Sequence, residues 1–187
     1  MVSAIHEALP QIKTMYLCDL DVAKAEEIAQ EYSEKLGVEI IPTSDSKGSA
    51  LKSQLIVGET TARTPIIDKS WLTPGCGLVT MHSGEVCEEV FLSADGVAAD
   101  YWTQLKKHVN PLAKLTQEGK LDEANIIDLS ELVLGEKKLR TSDDQFVAAA
   151  SMGLGALDIM IAYQMYLNAC EKGIGTKVNL WDKPLWE

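Results

Sequence analysis

Short apolar runs alternate with segments of helical period along most of this chain, and that alternation is what most limits its fold. Residues 14–18 (Thr-Met-Tyr-Leu-Cys) form an apolar run closed by Asp19-Leu20-Asp21, the pattern of a strand buried on both faces. In residues 22–36, Ala25, Ile28, Ala29, Tyr32 and Leu36 line one helical face, with Asp21 placed as N-cap and Gly37 as the stop. The pattern then repeats: strand 38–41, short helix 46–52, strand 55–57, an irregular loop 59–65 and a strand at 78–81. Further strands are predicted at 95–100 and 146–150, and further helices at 1–9, 102–118, 126–134 and 157–172. Strands alternating with helices predict an α/β fold with a parallel sheet covered on both faces and right-handed crossovers.

Composition narrows the function classes. A chain of 187 residues buries one good-sized core, and no linker or repeat divides it. The formal net charge of -11 argues against a nucleic-acid partner, which demands a concentrated basic face. The densest basic stretch, Lys137-Lys138-Leu139-Arg140, reads as a solvated loop. No run approaches the about 20 apolar residues that span a bilayer, and no signal-peptide pattern opens the sequence, so the expected location is cytoplasmic. Cys18, Cys76, Cys87 and Cys170 form no CxxC pair and read as small buried hydrophobes. The histidines form no HxxxH or HExxH pair, so no metal site is expected. Met152, Met160 and Met165 read as core filler.

An apolar strand that ends in an acidic residue and leads into a helix is half of a dinucleotide-binding signature, because the carboxylate accepts hydrogen bonds from the adenosine ribose hydroxyls. Asp19 is the first candidate and Asp21 the second, and an acid here repels a 2′-phosphate, favouring NAD over NADP. The other half, a GxGxxG loop some twenty to thirty residues earlier, has no counterpart, since residues 1–18 contain no glycine. Glu59-Thr60-Thr61-Ala62 follows a strand as a cofactor-facing strand end does. Ser151-Met152-Gly153-Leu154-Gly155 joins a strand to the longest helix, as a tight turn or as a close backbone approach to a ligand. No GxSxG elbow supports a hydrolase, and Glu88-Glu89 reads as solvated.

In this order, Tyr16-Leu17-Cys18-Asp19, Thr60-Thr61-Ala62, Trp71-Leu72-Thr73-Pro74-Gly75, residues 129–135, Ser151-Met152-Gly153 and Gly173-Ile174-Gly175 resemble the ornithine cyclodeaminase/mu-crystallin family over nearly the whole chain. That resemblance implies a nicotinamide-cofactor Rossmann domain, a doubly wound sheet of order 3-2-1-4-5-6, and homodimeric enzymes that act on small amino or imino acids with NAD. It places Asp19 on the ribose and Thr61 on the cofactor. It also puts Thr80, Met81, His82 and Ser83 around the nicotinamide, Ser151 on the cofactor and Met152 on the substrate. Ser83 falls where cyclodeaminases carry a catalytic aspartate, and a serine cannot act as that carboxylate base. Hydride-transfer chemistry of the reductase or dehydrogenase kind is therefore favoured over cyclodeamination.

By the same resemblance the chain begins just after the phosphate loop, so the expected fold is an incomplete Rossmann sheet over residues 1–175, lacking its first strand and glycine loop. Residues 176–187 form a tail whose strand, 177–181, would dock on a dimerisation and substrate domain. The strands at 14–18 and 55–57 should then present unpaired inner edges, which invite another chain. The expected partner is a second copy or the N-terminal half in trans. A catalytic fragment, an inactive remnant and a non-catalytic binding protein that keeps part of the cofactor cleft all remain open.

Overall fold

The computed structural model describes residues 1–81, 84–179 and 181. Two compact units are present, 1–152 and 153–187. The first begins with helix α1 (Val2–Ala8), strand β1 (Thr14–Cys18), helix α2 (Val22–Leu36) and strand β2 (Glu39–Thr43). Asp21 caps α2 by accepting from the Lys24 amide, and Gly37 ends it with a left-handed φ of 65°, a conformation glycine adopts without steric cost. β1 and β2 pair in parallel, Thr14 with Glu39 through Cys18 with Thr43. Helix α3 (Ser46–Ala50), shorter than the 46–52 expected, packs on β1 as the chain crosses to strand β3 (Leu55–Gly58).

β3 opens a second parallel sheet, with β4 (Gly77–Thr80), β5 (Gly96–Ala99), β6 (Ile126–Asp128) and β7 (Val147–Ala150) in the spatial order β3-β4-β7-β5-β6. The 3-2-1-4-5-6 order implied by the family runs outward strand by strand. Here the last strand in sequence inserts between β4 and β5 instead. Its Val-Ala-Ala-Ala sequence faces Gly77–Thr80 on one side and Gly96–Ala99 on the other, so the middle of the sheet carries small side chains. β1 pairs only with β2, and β3 only with β4, so no described strand lies between β1 and β3.

The main core lies around the five-stranded sheet, where Cys76, Leu78, Val90, Phe91, Trp102, Leu105, Leu112 and Leu115 pack together. Phe91 belongs to helix α4 (Glu88–Leu92), a five-residue helix too short to show a periodic pattern in the sequence. The helix expected over 102–118 is two, α5 (Trp102–Leu105) and α6 (Pro111–Gln117). Asn110 caps α6 by accepting from the Ala113 amide, and Pro111 fixes its first turn while forbidding continuity with α5. The helix expected over 126–134 also divides: Ile126–Asp128 pairs with β5 as β6, and only α7 (Leu129–Val133) is helical. Asp128 and Glu131 form a capping box at that junction, which is where the chain changes from strand to helix.

The basic stretch is not wholly solvated, because Arg140 donates to the carbonyls of Gly75 (2.8 Å) and Cys76 (3.0 Å). Of the cysteines, Cys76 is buried, Cys87 is intermediate, and Cys18 and Cys170 are exposed rather than core.

In the second unit, helix α8 (Gly155–Lys172) ends at Gly173. Met160 and Met165 are exposed, which corrects their reading as core filler, as are Ile159, Ile161, Tyr163 and Tyr166. Residues 177–179 and 181 lie in no strand, contrary to the strand expected there, and Leu180 falls outside the described residues.

Candidate functional site

In a parallel sheet every strand delivers its carboxyl end to the same edge, and open α/β folds bind ligands along that edge. Here the register aligns Gly58 with Thr80, Thr80 with Ala150 and Ala99 with Ala150. The segments that follow β3, β4, β7 and β5 therefore emerge side by side. The ladder continues past the strands: the Met81 amide donates to Gly58 (2.9 Å), Ser151 to Thr80 (2.9 Å) and Asp100 to Ala150 (3.1 Å). Asp19 and Thr60, from the ends of β1 and β3, line one cleft of about 840 Å³. The structure thus brings Asp19, Thr80, Met81 and Ser151 to strand ends, with Thr61 exposed in the loop after β3 and Met152 beside Ser151. His82 and Ser83 lie outside the described residues.

The two acidic candidates have different occupations. Asp21 Oδ1 caps α2 (3.3 Å from the Lys24 amide). Asp19 is exposed, and its Oδ1 accepts from the Asp21 amide at 2.9 Å. That bond orients the Asp19 carboxylate while leaving Oδ2 able to accept from a hydroxyl pair. Ser151 is held by Asp100, whose Oδ2 accepts from both the Ser151 hydroxyl (2.9 Å) and the Met152 amide (2.8 Å). The β7 end is thus fastened to the β5 end, and Met152 is set at the surface with 37% exposure.

One residue of this region was not foreseen. Glu85 is completely buried, and its carboxylate accepts from the Thr60 amide and from the Thr80 hydroxyl (2.9 Å). Its carbonyl accepts from Ile66 and Ile67 (2.9 and 3.0 Å). Glu85 therefore ties together the ends of β3 and β4 and the loop between them. Room for it comes from Gly58, where a Cβ would stand 2.6 Å from Glu85 Oε2. In the sequence Glu85 stands among Glu88 and Glu89, and nothing in residue type separates the buried acid from its solvated neighbours.

The arrangement offers a dinucleotide an oriented acid at the end of β1 and a surface of Met81, Ser151 and Met152 at the ends of β4 and β7, while the Thr80 side chain is turned into the core against Glu85. The described residues offer no glycine-rich loop for the pyrophosphate. They also hold no group of three or more His, Cys, Asp or Glu placed to hold a metal, and no helix long and apolar enough to cross a membrane.

Known proteins share this organisation. N-((2S)-2-amino-2-carboxyethyl)-L-glutamate dehydrogenase of Staphylococcus aureus is 31% identical over 145 residues, covering 77% of this chain and 43% of the relative. A Delta(1)-pyrroline-2-carboxylate reductase of Bacillus cereus is 27% identical over 177 residues, 91% of this chain and 54% of the enzyme. Among solved structures, the Thermococcus litoralis Delta(1)-pyrroline-2-carboxylate reductase in complex with NADH and L-proline superimposes with a TM-score of 0.82 at 28% identity, over 95% of this chain and 56% of that one. An archaeal alanine dehydrogenase dimer with bound NAD shares the fold, with a TM-score of 0.79 at 20% identity over 96% of this chain and 56% of that one. The chain spans about half the length of the curated relatives it matches. The sequence model of the ornithine cyclodeaminase/mu-crystallin family matches residues 1–173, and the chain belongs to that family.

Proposed function

We propose that this chain forms the cofactor-binding half of an NAD-dependent oxidoreductase that acts on a small amino or imino acid by hydride transfer. The observation that carries the reading is the aligned carboxyl edge of the five-stranded sheet, where Asp100 fastens the Ser151 hydroxyl and the Met152 amide, beside an oriented Asp19 at the end of β1 in its own strand pair. The likeness to a reductase solved with NADH and L-proline supports the same cofactor and substrate class. When bound, the nicotinamide supplies or receives the hydride. Asp19 holds the adenosine ribose through its free carboxylate oxygen, and Thr61 contacts the cofactor from the loop after β3. Thr80, Met81, His82 and Ser83 line the nicotinamide, Ser151 touches it, and Met152 faces the substrate.

Reductase or dehydrogenase chemistry is favoured over cyclodeamination because Ser83 cannot serve as a carboxylate base. The cofactor domain takes in residues 1–175, with 176–187 docking on a substrate and dimerisation domain, and the assembled protein works as a cytoplasmic homodimer.

The test is titration of the chain with NADH, followed by the rise in nicotinamide fluorescence. Asp19→Ala removes a charge-assisted hydrogen bond worth about 1.5–3 kcal/mol, so affinity should fall by roughly tenfold or more. Asp19→Ala affinity equal to that of the parent chain would remove the ribose role, and absence of NADH binding by the parent chain would overturn the reading that residues 1–187 hold the cofactor by themselves.

A further inference from the structure

On the reading that this edge holds a nicotinamide cofactor, we propose that Asp100 is a positioning residue that fixes the Ser151 hydroxyl as a hydrogen-bond acceptor. Ser151 then selects a ring substituent that carries N–H, the carboxamide NH2, and turns it away from the alternative in which the carboxamide carbonyl faces the protein.

The direction of each bond at Asp100 carries the inference. The Tyr101 amide donates to Oδ1 at 2.8 Å, and the Met152 amide donates to Oδ2 at 2.8 Å. A backbone N–H can only donate, so both oxygens already act as acceptors, as those of an ionised carboxylate do. The Ser151 hydroxyl, 2.9 Å from the same Oδ2, therefore donates as well. A hydroxyl has a single proton beside its lone pairs. With that proton committed to Asp100, whatever else meets the Ser151 oxygen has to donate to it.

The strand ends themselves are held without this carboxylate. The Asp100 amide donates to the Ala150 carbonyl (3.1 Å) and the Ser151 amide to the Thr80 carbonyl (2.9 Å), continuing the pairing of β5 with β7. Loss of the Asp100 side chain leaves that ladder intact and frees the Ser151 hydroxyl and the Met152 amide. Thr80 also gives its proton to a carboxylate, that of Glu85, but at 2% exposure it is closed to a ligand. Ser151 is half-buried beside the exposed Met152, so it is the member of this pair that a ligand can meet.

A nicotinamide carboxamide offers either a carbonyl or an NH2. Turned to an oxygen that can only accept, the carbonyl sets lone pairs against lone pairs, whereas the NH2 forms a hydrogen bond. Asp100 thereby acts on the cofactor through Ser151 and need not touch it.

The experiment is calorimetric titration of the chain with NADH and with reduced acetylpyridine adenine dinucleotide, in which a methyl group replaces the carboxamide NH2. NADH should bind about three- to tenfold more tightly, the effect of one hydrogen bond. Ser151→Ala should abolish that preference. Asp100→Ala should reduce it, because a freed hydroxyl can turn its proton to the carbonyl that both dinucleotides carry. General loosening of the edge would weaken both ligands alike and leave the preference standing, so the ratio separates positioning from mere support. Should Asp100→Ala fail to fold, the unsubstituted chain and Ser151→Ala decide the outcome.

Equal affinities in the unsubstituted chain, or a preference that survives in Ser151→Ala or in folded Asp100→Ala, would overturn the inference and leave the cofactor reading in place. Absence of binding by both dinucleotides would overturn the two together.

Discussion

Glu85 carries more of this region than any residue the sequence singled out. Its two carboxylate oxygens take the Thr60 amide and the Thr80 hydroxyl, and the residue is completely buried. Glu85→Ala removes the acceptor of both bonds from the protein interior, a loss of about 2–4 kcal/mol that urea unfolding should register as a lower midpoint. Gly58→Ala should produce a similar loss from the other side, since the new methyl meets Glu85 Oε2. Cysteine reactivity gives a second reading of local environment. Cys18 and Cys170 are exposed, while burial raises the thiol pKa of Cys76 above its ordinary value. Timed alkylation at pH 8 with peptide mapping should label Cys18 and Cys170 well ahead of Cys76.

At the scale of elements, the sequence was most legible where periodicity and punctuation agreed. β1 and α2 fall on the predicted residues because an apolar run, an Asx cap and a closing glycine all point the same way. Residues 102–118 and 126–134 misled because apolar spacing alone does not show where a helix is interrupted or where a strand precedes it. The local signals were present nonetheless: Asn110-Pro111 marks a new N-terminus, and Asp128 with Glu131 marks a capping box. Asn110→Ala should cost about 1 kcal/mol in cap energy, and more because its amide also donates to the Leu105 and His108 carbonyls. A fall in thermal midpoint without loss of the far-ultraviolet signal would report it. Asp19 and Ser151 were readable as strand ends, whereas Asp100, which fixes Ser151, lies 51 residues away from it and becomes visible only in the fold.

At the scale of the molecule, two apolar surfaces stand open: the edges facing the β1–β3 cleft and the side chains of α8. The first was legible from the sequence, because strands at 14–18 and 55–57 without a strand between them leave open edges in a parallel sheet. The second was not, since the same Met and Ile residues describe a buried helix equally well. Exposed patches of this kind bind apolar dyes and promote association. Replacing Ile161 and Met165 with Glu should reduce dye fluorescence and the weight-average mass in sedimentation, with the unfolding midpoint of residues 1–152 unchanged.

The position of β7 has a further consequence for how this protein comes into being. Gly77 and Gly96 both pair with Val147, so the two flanking strand pairs are joined by a strand made long after them. On the ribosome β3-β4 and β5-β6 emerge as two separate parallel strand pairs, each waiting for residues 147–150 to close the gap. Closure of such distant partners is slow, and the waiting interval is when unpaired strands meet chaperones or one another. Translation halted before residue 147 should therefore leave a chain that is digested by protease at any length, and resistance should arrive in one step once β7 clears the exit tunnel.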